Sequence, residues 1–429
     1  MRRIIEAGCL ALALVLAFGT TPTAQAQQPV TITYWQYYFE SKVKTVDALI
    51  KQFEARNPAI HVVQETFPYD SYNQKVASAV PAGQGPDVVN LYYGWLPLYV
   101  GSGYLQPLPA DAFSATQIER DYVPMVKAAK FDGKYWAVPT AVRTLALFYN
   151  KELFRQAGLG RPPLTWDEFT SDAQRLTQRD ARGRPTLEGF GIAPDGQDHQ
   201  LIREVLFRQW GASAYSSDGR KVTYDTPQAA AALQWYTDLV TKSAVAVIGF
   251  FPGGNGYRDA FVAGKAGMIV DGSFAIGSMQ SSAKFDWGVA LLPRRTAGGT
   301  PSNFGSFWVN GLTKKATGPR LAASEAFLKF LTSPDVERLW LQQVGEIPAA
   351  KTLAGDPKLA QDPVYGPFIA SLEFAHATFF VDETAQRTVM LDAINQVVLN
   401  NTDPRAALHA AAAKEQKVLD DFWATQGKH

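Results

Sequence analysis

A chain of 429 residues with 41 basic and 40 acidic side chains is too long for one hydrophobic core and calls for two or more domains. Its near-zero net charge excludes the electrostatics of a nucleic-acid or anionic-membrane binder. A single cysteine, Cys9, excludes a disulfide framework.

Arg2 and Arg3 precede an apolar run over 10–18, and a polar stretch ends in Ala24, Gln25 and Ala26, the pattern of a secretory leader with an A-x-A cleavage site. The run is far shorter than the roughly 20 residues that span a bilayer. Residues 1–26 are therefore expected to be a removed signal peptide, with a mature start near Gln27 and delivery to the periplasm. Cys9 stands ahead of the apolar run, whereas a lipid-modified cysteine would follow it, so the expected product is free, soluble and without a thiol. Arg2, Arg3 and Glu6 leave with the leader, which makes the basic and acidic counts equal.

Beyond the leader, 30–35 alternates as a strand. Val43, Val46, Leu49, Ile50 and Phe53 mark one face of a helix that Asn57 and Pro58 stop, and 60–66 is a second strand. Asp70 can cap a helix through Val80, 81–86 is a turn, and 87–91 reads as a buried third strand. This β-α-β-α-β order predicts an open sheet, whose ligands sit beyond the carboxyl ends of its strands. Those ends carry Gln36, Tyr37 and Tyr38, then Tyr69 and Asp70, then Tyr92 and Trp95.

From Pro139 to Thr144 the chain changes character. Directly after Arg143 a new apolar strand is expected over 145–149, followed by a short helix that Gly158 can close, which is how a chain leaves one lobe and founds another. Thr165 and Glu168 form a capping box ahead of Trp166, Phe169, Ala173 and Leu176 at helical spacing. Next, 190–193 reads as a strand, 200–210 as a helix, and 227–242 as a helix with Pro227 in its first turn after Thr226. A helix over 257–263 leads to a strand over 267–270, at whose carboxyl end stand Asp271, Gly272, Ser273 and Phe274. A strand over 287–292, a polar crossing over 294–303, a strand over 307–312 and a helix over 321–331 follow. Both lobes are mixed α/β.

Four stretches carry a family resemblance: GPDVVNLYYGWLPLYVGSGYLQPL (85–108), VPTAVRTLALFYNKELFRQAGL (138–159) followed by PPLTWDEF, DAFVAGKAGMIVDGSFAIGSM (259–279), and AFLKFLTSPDVERLWLQQVGEIPAAK (326–351). Together they resemble the family 1 extracellular solute-binding proteins of ABC sugar importers. The resemblance implies an α/β, two-lobed periplasmic-binding-protein fold of type II, each lobe a mixed sheet flanked by helices and joined by hinge crossovers. It implies an N-terminal lobe of 27–140 plus about 304–332 and a C-terminal lobe of 141–303 plus about 333–429. It also implies a monomer without cofactor or metal that closes on a carbohydrate and delivers it to permease subunits in the inner membrane. Arg143, at the first crossover, is read as a donor to ligand hydroxyls or a carboxylate, or else as one side of an interlobe ion pair. Asp271, Ser273 and Phe274 are expected at the ligand, with Phe274 where the family commonly has Trp. Phe304 and Arg387 complete the expected set.

Catalytic readings find little support. His61, His199, His376, His409 and His429 show no metal-ligand spacing. Gly264-Lys265 lacks both the first glycine and the Ser or Thr of a phosphate loop, and no G-x-S-x-G elbow is present. Asp167-Glu168 is explained by capping, and Asp382-Glu383 reads as a solvated loop rather than half of a glycosidase pair. Tyr92-Tyr93 could hold ferric iron only if both phenols converged, and adjacent residues at a strand end point different ways. Aromatic residues recurring at strand ends suit a pyranose, whose apolar faces lie on flat rings while Asp, Glu, Asn, Gln and Arg bind its rim. Other polyols, glycerol phosphate or a polyamine remain alternatives within the same fold, although Glu40, Glu65 and Asp70 are few carboxylates for a polyamine. A secreted sugar-active enzyme is the alternative from another class.

Overall fold

The computed structural model describes residues 29–426. The expected leader, its cleavage after Ala26 and Cys9 lie outside the described residues, as does the side chain of Asp70.

Three parallel strands open the chain: β1 (Val30–Tyr37), β2 (Ile60–Phe67) and β3 (Val88–Tyr92). Parallel neighbours need crossovers, supplied by α1 (Glu40–Arg56) and α2 (Tyr69–Ala79). α1 buries Val46, Leu49, Ile50 and Phe53, the face that the spacing predicts.

β4 (Ala137–Asn150) corrects the expectation of a strand newly begun at Leu145, because its 14 residues run without a break through Arg143. All of them except Arg143 and Tyr149 are buried. A strand covered on both faces carries no alternation that could mark an interior boundary. Four longer strands follow, beside several two-residue ones: β5 (Pro185–Gly191), β6 (Ala266–Gly272), β7 (Trp287–Ala290) and β8 (Asn303–Thr313). The first half of β4 pairs antiparallel with β8, and its second half lies between β6 and β7. β8 also pairs with β3, and β6 with β5. One continuous order, β2-β1-β3-β8-β4-β6-β5, thus threads both halves of the molecule. The β4/β8 register shifts between Trp308 and Val309, opposite Thr140, a bulge that accommodates Pro139, which has no N–H to donate.

α3 (Trp166–Leu176) starts at Thr165, whose hydroxyl accepts the Glu168 N–H at 3.2 Å, while the Glu168 carboxylate accepts the Leu164 N–H at 2.9 Å. α4 (Pro227–Thr241) is capped in the same way by Thr226, which accepts the Ala229 N–H at 3.1 Å. The helix expected over 200–210 is instead a π-helical turn, Leu201–Leu206, that tightens into Phe207–Gln209. Such turns cluster at functional sites. α5 (Gly256–Val262) precedes β6. α6 (Gly318–Leu331) and α7 (Pro334–Val344) follow β8, and α7 packs on α1, so the chain does not leave its first partners at residue 332. α8 (Glu383–Asn400) and α9 (Pro404–Gln426) pack with α4.

Two buried apolar clusters result. Alternate residues of β4 feed them, Ala146 and Phe148 one, Leu145 and Leu147 the other, as the two faces of a strand require. Among the described residues no helix is long and apolar enough to cross a membrane.

Candidate ligand-binding cleft

The carboxyl ends of the parallel strands open on one cavity of ≈ 590 Å³, a size that holds a small organic ligand. Tyr37, Tyr38 and Phe39 come from the end of β1, Tyr69 from the head of α2, and Tyr92 and Trp95 from the turn after β3. β4 and β8 contribute Arg143, Phe304, Ser306 and Trp308. The facing side is built from the 195–200 turn, the 254–258 segment, Phe274 after β6, and Glu383 and Arg387 of α8.

Trp308 is the ring against which the others lean. Tyr37 lies 4.1 Å from it between centroids, Trp95 stands edge-on at 5.3 Å, and Tyr92 is 5.9 Å away. Tyr38 and Tyr69 are 56% and 51% exposed, so their rings are open to whatever enters.

Beneath these rings Glu346 organises the charge. Its carboxylate accepts from Arg143 Nε, from Trp340 Nε1 at 2.8 Å, and pairs with Lys42 Nζ at 3.0 Å. Arg143 also donates to the Tyr37 hydroxyl at 3.2 Å. Burial pushes the Glu346 carboxyl up, but the charges of Arg143 and Lys42 outweigh it and hold the group at about 2. Lys42 is itself enclosed, 5.1 Å from the Tyr37 ring and 5.7 Å from that of Trp340, where the ring faces favour a cation. One carboxylate therefore serves two cations.

Opposite, Arg258 is clamped by Asp271 through Nε at 2.7 Å and a second nitrogen at 3.1 Å, the bidentate geometry that fixes a guanidinium plane. The Phe274 ring lies 4.8 Å from the Arg143 guanidinium carbon and 5.3 Å from that of Arg258. Gly272 is needed for this ring rather than for a turn. Its φ is an ordinary −86°, but a Cβ there would meet Phe274 Cε1 at 2.2 Å. On α8, Arg387 pairs with Glu383 at 3.2 Å, and burial raises the Glu383 carboxyl against the opposing pull of Arg387.

Three residues of the cleft wall hold a buried side-chain atom with no partner of good hydrogen-bond geometry among the described residues: Trp95 Nε1, which faces the Glu383 carboxyl, His199 Nδ1 and Gln200 Nε2. Gln200 uses its oxygen to accept from Thr378 Oγ1 at 2.7 Å, leaving its NH2 free. Burial and the charges of Arg387 and Arg203 hold His199 well below its ordinary range, so it is neutral. Buried polar groups are seldom left unpaired in native proteins, and these three lie in the wall just behind the cavity surface.

Of the residues expected at the ligand, Tyr37, Tyr38, Tyr69, Tyr92, Trp95, Arg143, Phe274, Phe304 and Arg387 converge on the cavity. Gln36, Asp271 and Ser273 do not line it. Gln36 points away along β1 and donates to Gln64, Asp271 is consumed by Arg258, and Ser273 is fully buried with an unpaired hydroxyl. Asp70 begins α2, but its side chain is not among those described. Tyr93, the partner of Tyr92 in the iron reading, turns away, its ring stacked on Phe307 and its hydroxyl donating to the Thr378 carbonyl at 3.3 Å. Lys42, His199, Gln200, Arg258, Trp308 and Glu346 were not anticipated. Trp308 sits in an apolar strand and reads as core, whereas Glu346 lies inside the fourth resembling stretch and could have been singled out as a charge amid apolar neighbours.

The model of the bacterial extracellular solute-binding protein family matches residues 48–366. The chain belongs to that family. Over 96% of its length this solute-binding protein is 28% identical to a Brucella abortus protein described only as a binding protein, of which 98% is covered. It is 25% identical to the maltotriose-binding protein of Pyrococcus abyssi, over 80% of this chain and 72% of that one. It is 26% identical to the sn-glycerol-3-phosphate-binding periplasmic protein UgpB of Escherichia coli, over 79% and 78%. In structure it matches the GacH receptor of Streptomyces glaucescens with a TM-score of 0.79 at 25% identity, covering 92% of this chain and 99% of that one. The fold is the two-lobed periplasmic-binding fold of maltose-binding-protein type that the resemblance implies.

Proposed function

We propose that this solute-binding protein is the periplasmic component of an ABC importer and encloses a carbohydrate in the cleft. The observation that carries this reading is one cavity combining the open rings of Tyr38 and Tyr69 with the polar side chains of Arg143, Ser306, Glu383 and Arg387. Flat rings cover the apolar faces of a sugar, and hydroxyls, which both donate and accept, suit a wall that offers guanidinium donors, a carboxyl and a serine hydroxyl. The maltotriose-binding relative and the GacH receptor, whose structure was obtained in complex with acarbose, support the ligand class. On this reading Tyr38, Tyr69 and Phe274 are platforms, and Arg143 and Arg387 bind the rim. The first lobe gathers around β1, β2 and β3 and retains α7. The second gathers around β5, β6 and β7, with the hinge in β4, β8 and 377–382. The protein works as an exported monomer after loss of its leader, presents its closed form to permease subunits, and carries out no reaction of its own.

One feature favours a second reading, a glycerol-phosphate-like ligand. Lys42 and Arg143 share the single carboxylate of Glu346, which leaves a cation in excess at the cleft floor for an anion to match, and a relative binds glycerol 3-phosphate. A thermal-shift and calorimetric screen of mono- to tetrasaccharides, polyols, glycerol 3-phosphate and polyamines decides between them. A ligand at 100 times its Kd adds about 2.7 kcal/mol to apparent stability. A saccharide that does so is the expected result. Glycerol 3-phosphate alone would install the second reading, and turnover of bound sugar on prolonged incubation would overturn both in favour of an enzyme.

A further inference from the structure

Next to the cleft lies a second cavity of ≈ 400 Å³, sharing Asp195, Gly254 and Tyr257 as walls with it. It is closed by the 247–256 segment and by Leu391 and Asn395 of α8. Its chemistry differs from that of the cleft. Two carboxyl groups, Glu188 and Asp195, and three aromatic rings, Phe250, Phe251 and Tyr257, line it, and no Lys, Arg or His does.

Glu188 is the informative residue. It is 2% exposed, and one carboxylate oxygen accepts the Val247 N–H. The other oxygen accepts no hydrogen bond, and no cation pairs with the group, among the described residues. Glu346, Asp271 and Glu415 each face an arginine, whereas Asp198 and Glu337, equally buried, share with Glu188 the lack of a cation but do not combine it with a cavity of this kind. Burial without a compensating cation raises the Glu188 carboxyl to about 8. A lone buried carboxyl in a cavity walled by aromatic residues is a setting in which an organic cation can gain both an ion pair and cation–π contacts.

We propose that this second cavity is a binding site for a small organic ammonium ion, seated against Glu188 with Phe250, Phe251 and Tyr257 around it. The site goes beyond the carbohydrate reading of the cleft and does not depend on it. Its ligand is chosen by charge, whereas the cleft has cations on its own walls.

Calorimetric titration of the exported protein with choline and with 3,3-dimethylbutan-1-ol, its uncharged isostere, tests the assignment. Choline is expected to bind, and the alcohol to bind at least roughly tenfold more weakly, which corresponds to about 1.4 kcal/mol. Glu188→Gln retains an oxygen for the Val247 N–H and should abolish the preference for choline. Leu391→Trp, which fills the cavity without touching its charge, should remove binding of both probes. Should Glu188→Gln fail to fold by circular dichroism, Leu391→Trp decides. Equal affinity for the two probes, no choline binding by the wild type, or undiminished choline binding in the folded variants would overturn the proposal. So would choline binding lost on Tyr92→Ala but kept in Glu188→Gln, since that would put the ammonium in the cleft.

Discussion

Phe274 shows how a site residue differs from a core residue of the same type. It is only half-buried, and its ring faces two guanidinium groups and the cavity. Phe274→Ala should weaken ligand binding by roughly 1–3 kcal/mol, combining lost apolar burial with a face-on contribution, or about 5- to 150-fold. Folding stability should fall by less than the roughly 3–5 kcal/mol of a core phenylalanine. Titration calorimetry and ligand-free denaturant melts measure the two quantities, and intact affinity with a large stability loss would remove Phe274 from the site. Glu346 makes the opposite case. Its folded value of about 2 lies below the ordinary 4.5, so it contributes stability that is fully present above pH 4.5 and is lost as pH falls toward 2. Glu346→Gln leaves Lys42 and Arg143 facing no charge, which should cost about 3–5 kcal/mol at neutral pH. The gap between wild type and variant should narrow as acid is added, and a gap that stays constant from pH 7 to pH 2 would show that the charge is not what matters. Arg143 illustrates the limit of sequence reading at this scale. Its place near the cleft floor was legible from the change of character around it, but its partner stands 203 residues away, and no local pattern encodes such a pairing.

Elements bounded by their own chemistry were the most legible. α3 and α4 begin where their threonines say they should, because a cap is an interaction across three residues. Thr165→Ala should therefore lower stability by about 1 kcal/mol without changing ligand affinity, as denaturant melts and titrations on the same protein would show; a loss of affinity would mean that α3 also helps to shape the cleft. Elements defined by tertiary contact were read less well. β4 looked like two pieces because Arg143 interrupts its apolar run, although a charge with a buried partner is no interruption. The π-helical turn at Leu201–Leu206 has helical apolar spacing, so only the structure shows that His199 and Gln200 just before it belong to the cleft wall.

Across the whole molecule, α/β character, alternating order and the family resemblance were visible in the chain, since each rests on short-range patterns repeated many times. The cleft was half visible: residues at the ends of β1, β3 and β6 could be named, because strand ends are where open sheets bind. Of those that β8, α8 and the 195–200 turn bring in, Phe304 and Arg387 were expected through the resemblance alone, and the others could not be named, since their arrival depends on the path of the entire chain. That path has a mechanical consequence. The first half of β4 is joined edge to edge with β8, and in the hinge proposed above the two pass between the lobes as a paired ribbon with one bulge. Two loops would let the halves swing freely, but a ribbon resists bending in its own plane and yields mainly by twisting. A lobe movement carried on it has a restoring torque, strongest where the ladder is regular and weakest at Thr140, so the protein should behave as a sprung clip whose rest position is written into the pitch of two strands.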